Sequence, residues 1–252
     1  MNKKPWIKED RRVKAENHVE EMNDIFSKEI QYSIENSTVY HDTVSAEYDN
    51  GNVPECAIVP LTTELAISKY CSGKTAVLNF ASYKYAGGGF IIGAIAQEEA
   101  LCHASTLYNV ISDKRFENYY IKNRANTNNE LYDNFAIYSP GVIFPTTEKD
   151  YKVDVITCAA PNKKAYMQCS TNELDVTRTM KSRIKFVFDI AQSNYVETLI
   201  LGVFGCGVFG NDPLEVARIF RTFILSGEYS FKNVIFAIPP GENYEAFAQV
   251  FS

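Results

Sequence analysis

The sequence has no apolar run that approaches the roughly 18 residues needed to cross a bilayer. Its opening, MNKKPWIKEDRR, lacks the apolar segment of a secretory signal. We therefore expect a cytoplasmic protein with no membrane partner. A composition of 46% apolar and 22% charged residues over 252 residues is typical of a folded domain with an ample core.

Metal-binding patterns are also missing. The chain has six cysteines without any CxxC pair and only three histidines, none at the spacing of a zinc site. We expect free thiols, no metal and no cofactor.

Positive charge is in short supply, with 25 basic against 31 acidic residues and a net charge of −6. A protein that binds duplex DNA or RNA normally presents a basic face, so this class of partner is not expected. An anionic ligand would have to be held by local groups rather than by the overall field.

Short apolar runs alternate with amphipathic stretches from residue 53 onward, which predicts an α/β fold with a mostly parallel or mixed sheet covered on both faces. Residues 7 to 35 have the apolar spacing of a helix, so residues 1–50 are expected to form a helical N-terminal extension and 51–252 the main domain. The polar segment 122–134 is predicted to be a surface loop. The apolar runs are AIVPL, TAVLNFAS, VDVITCAAP, ETLILGVF and NVIFAI.

Two glycine-rich segments each follow a predicted strand. The first is Gly87-Gly88-Gly89, and the second runs from Gly205 to Gly210 as GCGVFG. In open α/β sheets, ligands bind beyond the carboxyl ends of the strands. Because glycine lets the main chain approach a ligand closely, such loops can bind anions through their N–H groups.

The second segment matches GxGxxG, the fingerprint of dinucleotide-binding folds. That fingerprint also requires an acidic residue at the end of the next strand. Here Glu228 precedes the strand predicted at 234–238, and Glu242 follows well after it. A nicotinamide-dependent dehydrogenase is therefore the weaker interpretation.

Gln97-Glu98-Glu99 follows the triple glycine within ten positions. Paired acids in the first turn of a helix can be stabilised by the helix dipole without any function. The combination of GGG with QEE, however, resembles the microbial poly(ADP-ribose) glycohydrolases, a branch of the macrodomain fold. The similarity continues in the family's order through VPLTTE, VLNFAS, STLY, YSPGV, VITCAAPN and GCGVFGNDP. The chain departs from the family pattern at Ala86, where proline is common, and at His103, where arginine is common.

The resemblance implies a three-layer α/β/α macrodomain-like fold with a mixed sheet, and hydrolysis of ribose–ribose O-glycosidic bonds in poly(ADP-ribose), releasing ADP-ribose from the free end. Glu99 would protonate the leaving 2′-oxygen and then activate water. Glu98 would bind a ribose hydroxyl or orient its neighbour, and the two glycine loops would clamp the diphosphate. The remaining substrate-binding residues implied are Asn79, Gln97, Cys206, Gly207, Val208, Phe209 and Tyr244, together with the glycines of both loops.

Several of these residues have simpler interpretations. Asn79 could close an Asx turn, Phe209 could fill the core, and Tyr244 could be part of a helix core. Cys206 is best explained as a small side chain under a tight loop, since no histidine is placed to activate it as a nucleophile.

Two other functions stay open at this point. One is a non-catalytic macrodomain module that binds or sequesters ADP-ribose or a related signalling nucleotide. The other is hydrolysis of mono-ADP-ribosyl or O-acetyl-ADP-ribose substrates. In each case the expected partner is poly(ADP-ribose), an ADP-ribosylated protein or ADP-ribose, and the expected state is a monomer.

Overall fold

The computed structural model describes residues 5–47 and 53–252. Its helices are α1 (Pro5–Asn36), α2 (Thr63–Tyr70), α3 (Gln97–His103), α4 (Leu107–Ile111), α5 (Glu117–Ala125), α6 (Lys163–Tyr166), α7 (Glu173–Ser193), α8 (Pro213–Ile224) and α9 (Glu242–Phe251). Its strands are β1 (Thr38–His41), β2 (Glu55–Val59), β3 (Thr75–Phe80), β4 (Phe135–Phe144), β5 (Tyr151–Cys158), β6 (Thr198–Leu201) and β7 (Asn233–Ala237).

The strands form one seven-stranded sheet in the order β1-β4-β5-β3-β6-β7-β2. Strands β5, β3, β6, β7 and β2 are mutually parallel, whereas β4 is antiparallel to both β1 and β5. The mixed sheet places the carboxyl ends of the five parallel strands at one edge. The loops that leave this edge therefore converge.

Successive residues of the central strand face opposite cores. Leu78 of β3 is buried among α7, α8 and α9, while its neighbour Val77 is buried among α2, α3 and α4. This alternation follows from the two-residue period of a strand. It produces helices on both sides of the sheet, so the predicted three-layer α/β/α fold is confirmed.

The N-terminal helix is integrated into the second layer. Ala15 is fully buried in the core that contains α3 and α4, and Met22 and Ile30 pack with α4 and α5. Two polar contacts fix it further: the ring of His18 lies 3.0 Å from the carbonyl of Ser105, and the Asn109 amide donates to the carbonyl of Val19 at 2.9 Å.

Strand β4 is absent from the strands predicted from the sequence, because Pro140-Gly141 interrupts it with what looks like a turn signal. The strand continues through a register irregularity between Ser139 and Val142, where Gly141 has φ 71° and donates its N–H to Asp154 at 2.8 Å. A bulge of this kind lets a strand carry proline and glycine without ending.

The loop predicted over 122–134 was wrong at its start. Helix α5 extends to Ala125, since Tyr119, Tyr120 and Asn123 are buried and hold its face against the protein. Helix α8 begins at Pro213, after Asp212, whose side chain accepts from the Leu214 N–H at 2.8 Å. No described helix is long and apolar enough to cross a membrane.

Candidate active site

A cavity of about 640 Å³ opens at the carboxyl edge of the parallel strands. Its walls come from the loops that follow β2, β3, β5, β6 and β7. Both glycine segments contribute, through Gly88 from the first and Gly205, Gly207, Val208 and Phe209 from the second. The structure therefore brings the two loops together on one cavity, with Gln97, Glu98 and Glu99 in the same wall.

Gln97 joins α3 to the central strand. Its side-chain oxygen accepts from the N–H of Phe80 at 2.8 Å, and its amide nitrogen donates to the carbonyl of Leu78 at 2.9 Å. The amide thus behaves as a short piece of strand at the edge of β3. Its polar atoms are occupied by the main chain, and the role that follows is to fix where α3 begins.

Glu98 is buried, with 3% of its surface exposed. One carboxyl oxygen accepts from the Asn79 amide at 3.1 Å and the other from the N–H of Ser82 at 2.7 Å. Burial raises the pKa of Glu98 to about 8, although these donors and the N–H of Gly87 pull the pKa down. Glu98 therefore ties α3 to the end of β3 in the wall of the cavity.

Glu99 lies beside Glu98 and also lines the cavity. Its Oε1 accepts from the N–H of Gly89 at 2.8 Å. In the described part of the chain, no donor reaches its Oε2 within hydrogen-bonding distance. One oxygen is thus fixed while the other is left for a ligand in the cavity.

The first glycine loop wraps closely around both carboxyl groups. Gly87 and Gly88 have φ of 65° and 58°, in the left-handed region that glycine adopts without strain. A Cβ on Gly88 would lie 2.7 Å from Oε1 of Glu99 and 2.9 Å from Oε2 of Glu98. The loop needs glycine here because a side chain would displace the carboxyl groups.

The second glycine loop differs because its N–H groups are open. No described acceptor lies within hydrogen-bonding distance of the N–H groups of Gly207, Val208 and Phe209. A Cβ on Gly207 would meet no atom within 4 Å. The loop is closed from behind by the Asn211 amide, which donates to the carbonyl of Gly205 at 2.9 Å. This segment can therefore offer its main chain to an anion.

Six predicted site residues do not line the cavity: Asn79, Gly87, Gly89, Cys206, Gly210 and Tyr244. Asn79 is completely buried and acts on Glu98 rather than on the open space. Near the start of α9, the helix that carries Tyr244, the cavity is lined by Pro239 and Asn243 instead. For Cys206, burial raises the pKa of the thiol to about 12, which disfavours a thiolate.

Sequence reasoning missed much of the cavity wall. The largest omission is the segment 81–85, which directly follows β3 and therefore leaves the sheet at the ligand edge. Its position after a central strand was the available signal. Thr62, Thr63 and Glu64 enter in the same way after β2.

Tyr132 also lines the cavity and has an unusual backbone conformation. Its φ is 63°, a region that aromatic residues rarely occupy. The ring stacks on Tyr83 with centroids 4.2 Å apart and lies 6.1 Å from the ring of Phe209. The buried guanidinium of Arg183 donates to the Tyr132 carbonyl at 2.9 Å. These contacts stabilise a strained backbone conformation that would otherwise relax.

Among the described residues, no three His, Cys, Asp or Glu side chains come together as a metal cluster would require. Lys84 is the one basic side chain in the described wall, and it pairs with Glu130 at 3.0 Å. An anion in this cavity would therefore depend on main-chain donors.

The family model for the catalytic domain of microbial-type PARG, poly(ADP-ribose) glycohydrolase, matches residues 11–145, more than half of the chain. The chain belongs to this family. The match begins inside α1 and includes the triple glycine and both glutamates, so the resemblance inferred from GGG and QEE is confirmed.

Solved PARG structures agree over nearly the whole chain. The enzyme from Thermomonospora curvata is 27% identical with a TM-score of 0.85, covering 96% of this chain and 100% of that one. Its complex with the inhibitor ADP-HPD gives 28% identity and a TM-score of 0.83, covering 96% and 99%. PARG from Deinococcus radiodurans in complex with ADP-ribose is 30% identical with a TM-score of 0.77, covering 88% and 96%. No curated protein sequence matches the chain.

Proposed function

We propose that this protein hydrolyses the ribose–ribose O-glycosidic bonds of poly(ADP-ribose), releasing ADP-ribose from the free end of the polymer. The observation that carries this proposal is the position of Glu98 and Glu99 in the wall of one cavity shared by both glycine loops. Its volume of about 640 Å³ lies within the range of pockets that enclose a small ligand. The related PARG structures with ADP-ribose and ADP-HPD support the same ligand class.

The diphosphate of the terminal unit would bind the second glycine loop. The open N–H groups of Gly207, Val208 and Phe209 supply donors where the described wall offers little positive charge. The first loop would contribute by close approach, because its N–H groups at Gly88, Gly89 and Phe90 already donate within the protein. Phe209 would pack against the terminal ribose.

Glu99 would act first as general acid and then as general base. Glu99 lines the cavity and its Oε2 accepts from no described donor, so this carboxyl group can protonate the departing 2′-oxygen as the bond to the anomeric carbon breaks. The same carboxylate can then take a proton from the water that attacks the oxocarbenium-like centre. The Gly89 N–H would keep the group oriented through both steps.

Glu98 would hold the terminal ribose and position Glu99. Because both of its oxygens accept from residues at the end of β3, its carboxyl group is fixed before substrate arrives. Burial favours a proton on this group at neutral pH, so the pair does not have to carry two full negative charges near an anionic ligand.

The decisive experiment uses purified protein and poly(ADP-ribose) labelled along its length. We expect free ADP-ribose to accumulate from the start of the reaction, as release from chain ends requires. Cleavage of mono-ADP-ribosyl or O-acetyl-ADP-ribose substrates with no action on the polymer would replace this proposal with the neighbouring activity. Tight binding of ADP-ribose without any cleavage would indicate a binding module instead.

We further propose a cytoplasmic monomer whose catalytic domain spans residues 51–252, preceded by an extension, 1–50, that supplies α1 and the edge strand β1 of its sheet. The free thiols of all six cysteines are consistent with a reducing compartment. The extension would support catalysis indirectly, since α1 packs behind the helices that carry and follow the glutamates.

A further inference from the structure

A second cavity, of about 670 Å³, lies on the other side of the first glycine loop. The two cavities share Tyr85 and Gly88 in their linings. Tyr85 is 58% exposed, so the cavities meet over a rim that carries an accessible aromatic ring. The function proposed above uses only the first of these spaces.

The rim lies directly beside the reacting group. A Cβ placed on Gly88 would be 2.7 Å from Oε1 of Glu99. The second cavity therefore begins within a few atoms of the carboxyl group that would protonate the leaving oxygen. A leaving group that departs across Gly88 would enter it at once.

The chemistry of the bond requires space at this place. In a ribose–ribose link through the 2′-oxygen, the leaving ribose carries its base on the carbon next to the one that bears that oxygen. The base of the leaving unit must therefore sit within one sugar ring of the cleaved bond. With the terminal unit in the first cavity, a leaving base that crosses Gly88 would meet the second cavity.

We propose that the second cavity binds the adenosine moiety of the penultimate ADP-ribose unit, as a subsite for the leaving side of the polymer. This inference rests on the proposed function and identifies the part of the substrate that the second cavity would bind. Substrate would then span the rim, with the cleaved bond over Gly88 and Glu99.

The lining suits a purine nucleoside. Ile92 is 58% exposed and, with Tyr108 and Ile91, forms an apolar wall on which a base can pack. Across the rim, the guanidinium of Arg124 lies 5.4 Å from the centroid of the Tyr85 ring.

The charges at the cavity balance, which favours a nucleoside over a second diphosphate as the bound group. The two basic side chains in its lining, Lys114 and Arg124, are matched by the acidic side chains of Asp113 and Glu117. Arg124 also donates to the carbonyl of Lys84 at 2.8 Å, so part of its hydrogen-bonding capacity already serves the protein.

The test fills the second cavity without touching the first. Ser112 lines only the second cavity and is exposed, so Ser112→Trp puts a large side chain into that space, and Ser112→Ala is the matched control. Both are made in a Glu99→Gln background, which slows turnover by about 10²- to 10⁴-fold during calorimetry. The ligands are ADP-ribose and a dimer of two ADP-ribose units joined through the 2′-oxygen.

We expect the dimer to bind about tenfold more tightly than ADP-ribose in the parent and in Ser112→Ala. In Ser112→Trp this advantage should disappear, while the affinity for ADP-ribose itself stays within about twofold. Equal affinity of the parent for both ligands would contradict the subsite. An equal loss of affinity for both ligands in Ser112→Trp would contradict it as well. Failure of the parent to bind ADP-ribose would instead remove the proposed function and this inference with it.

A kinetic experiment checks the same point with Glu99 intact. The kcat/KM of Ser112→Trp should fall about tenfold on the dimer, yet stay near the wild-type value on ADP-ribose linked to a small phenol. The phenol leaving group carries no nucleoside, so its hydrolysis should not sense the second cavity. A parallel fall on both substrates would contradict the proposal.

Discussion

The side chain of Gln97 pairs with the main chain at Phe80 as a neighbouring strand would, accepting the N–H at 2.8 Å while its amide nitrogen donates to Leu78. This relationship sets the start of the helix that carries Glu98 and Glu99. A helix of seven residues has little stability of its own, so its position depends on such tertiary contacts.

Gln97→Glu should therefore damage both stability and activity. The carboxylate has no donor for the Leu78 carbonyl, and we expect a loss of about 1–3 kcal/mol in the free energy of unfolding. The kcat of the folded protein should also fall, because α3 can shift relative to β3. Urea unfolding and steady-state kinetics measure the two effects.

Gln192→Glu is the matched control for this prediction. Gln192 is buried and, like Gln97, donates to a main-chain carbonyl, that of Glu47 at 2.9 Å, but it lines neither cavity. It should lose stability with no change in kcat per folded molecule. An equal loss of kcat in both variants would show that Gln97 has no positioning role.

Glu99→Gln should reduce the rate of polymer hydrolysis by about 10²- to 10⁴-fold, the usual contribution of general acid–base catalysis. The amide keeps the volume of the side chain and can still accept from the Gly89 N–H, but it cannot cycle a proton. ADP-ribose affinity should change little. Single-turnover rates together with calorimetry separate these quantities.

Glu98→Gln is the comparison variant for Glu99. Its rate loss should be smaller, with a larger share of it in substrate binding. A folded Glu99→Gln variant that hydrolyses the polymer near the wild-type rate would exclude the assigned mechanism.

Glu98 should also make stability depend on pH. Its pKa is raised in the folded protein to about 8, so folding favours its protonated form. The contribution of Glu98 to the free energy of unfolding is therefore fully present below the unfolded pKa of about 4.3. This contribution is lost as pH rises toward 8, at up to about 1.4 kcal/mol per pH unit. Between pH 5 and pH 8, the free energy of unfolding of the wild type should fall relative to that of Glu98→Gln. Both proteins are measured at intervals of about half a pH unit. A constant difference in unfolding free energy across this range would refute the assignment.

Gly207 and Gly88 should respond differently to substitution. A Cβ at Gly207 meets open space, so Gly207→Ala and Gly207→Val should fold normally and weaken ADP-ribose binding progressively, by obstructing the diphosphate loop. Gly88→Ala should mainly lower kcat, since its Cβ would collide with Glu98 and Glu99. Calorimetry and kinetics on the same preparations distinguish the two outcomes; unchanged affinity in Gly207→Val would remove the loop from the binding site.

The parts of the fold that the sequence predicts are those governed by regular hydrophobic patterns. The parallel strands and their following helices could be recognised because each apolar run is bounded by polar or turn residues. Strand β4 could not, since the bulge at Gly141 depends on a partner, Asp154, that is distant until the sheet forms. Local signals carry no information about that contact.

For the site, motif reasoning located residues better than it located their contacts. The GGG and QEE segments do meet at one cavity, but the N–H of Gly89 faces Glu99, and Gln97 faces the main chain. Tyr132 was invisible to sequence analysis, because a polar segment gives no sign that a left-handed tyrosine will be held against the site. Such placements are decided by tertiary contacts.

Arg183 shows how that wall is kept. Its guanidinium is 1% exposed and donates to the carbonyls of Ala159, Leu131 and Tyr132 and to the side-chain oxygen of Asn134. A positive centre surrounded by oxygen atoms from separate segments is the arrangement by which a calcium ion cross-links loops. Here the ion is tethered to α7 by its own side chain, so the cross-link cannot be lost by dilution and its strength does not follow the supply of any solute.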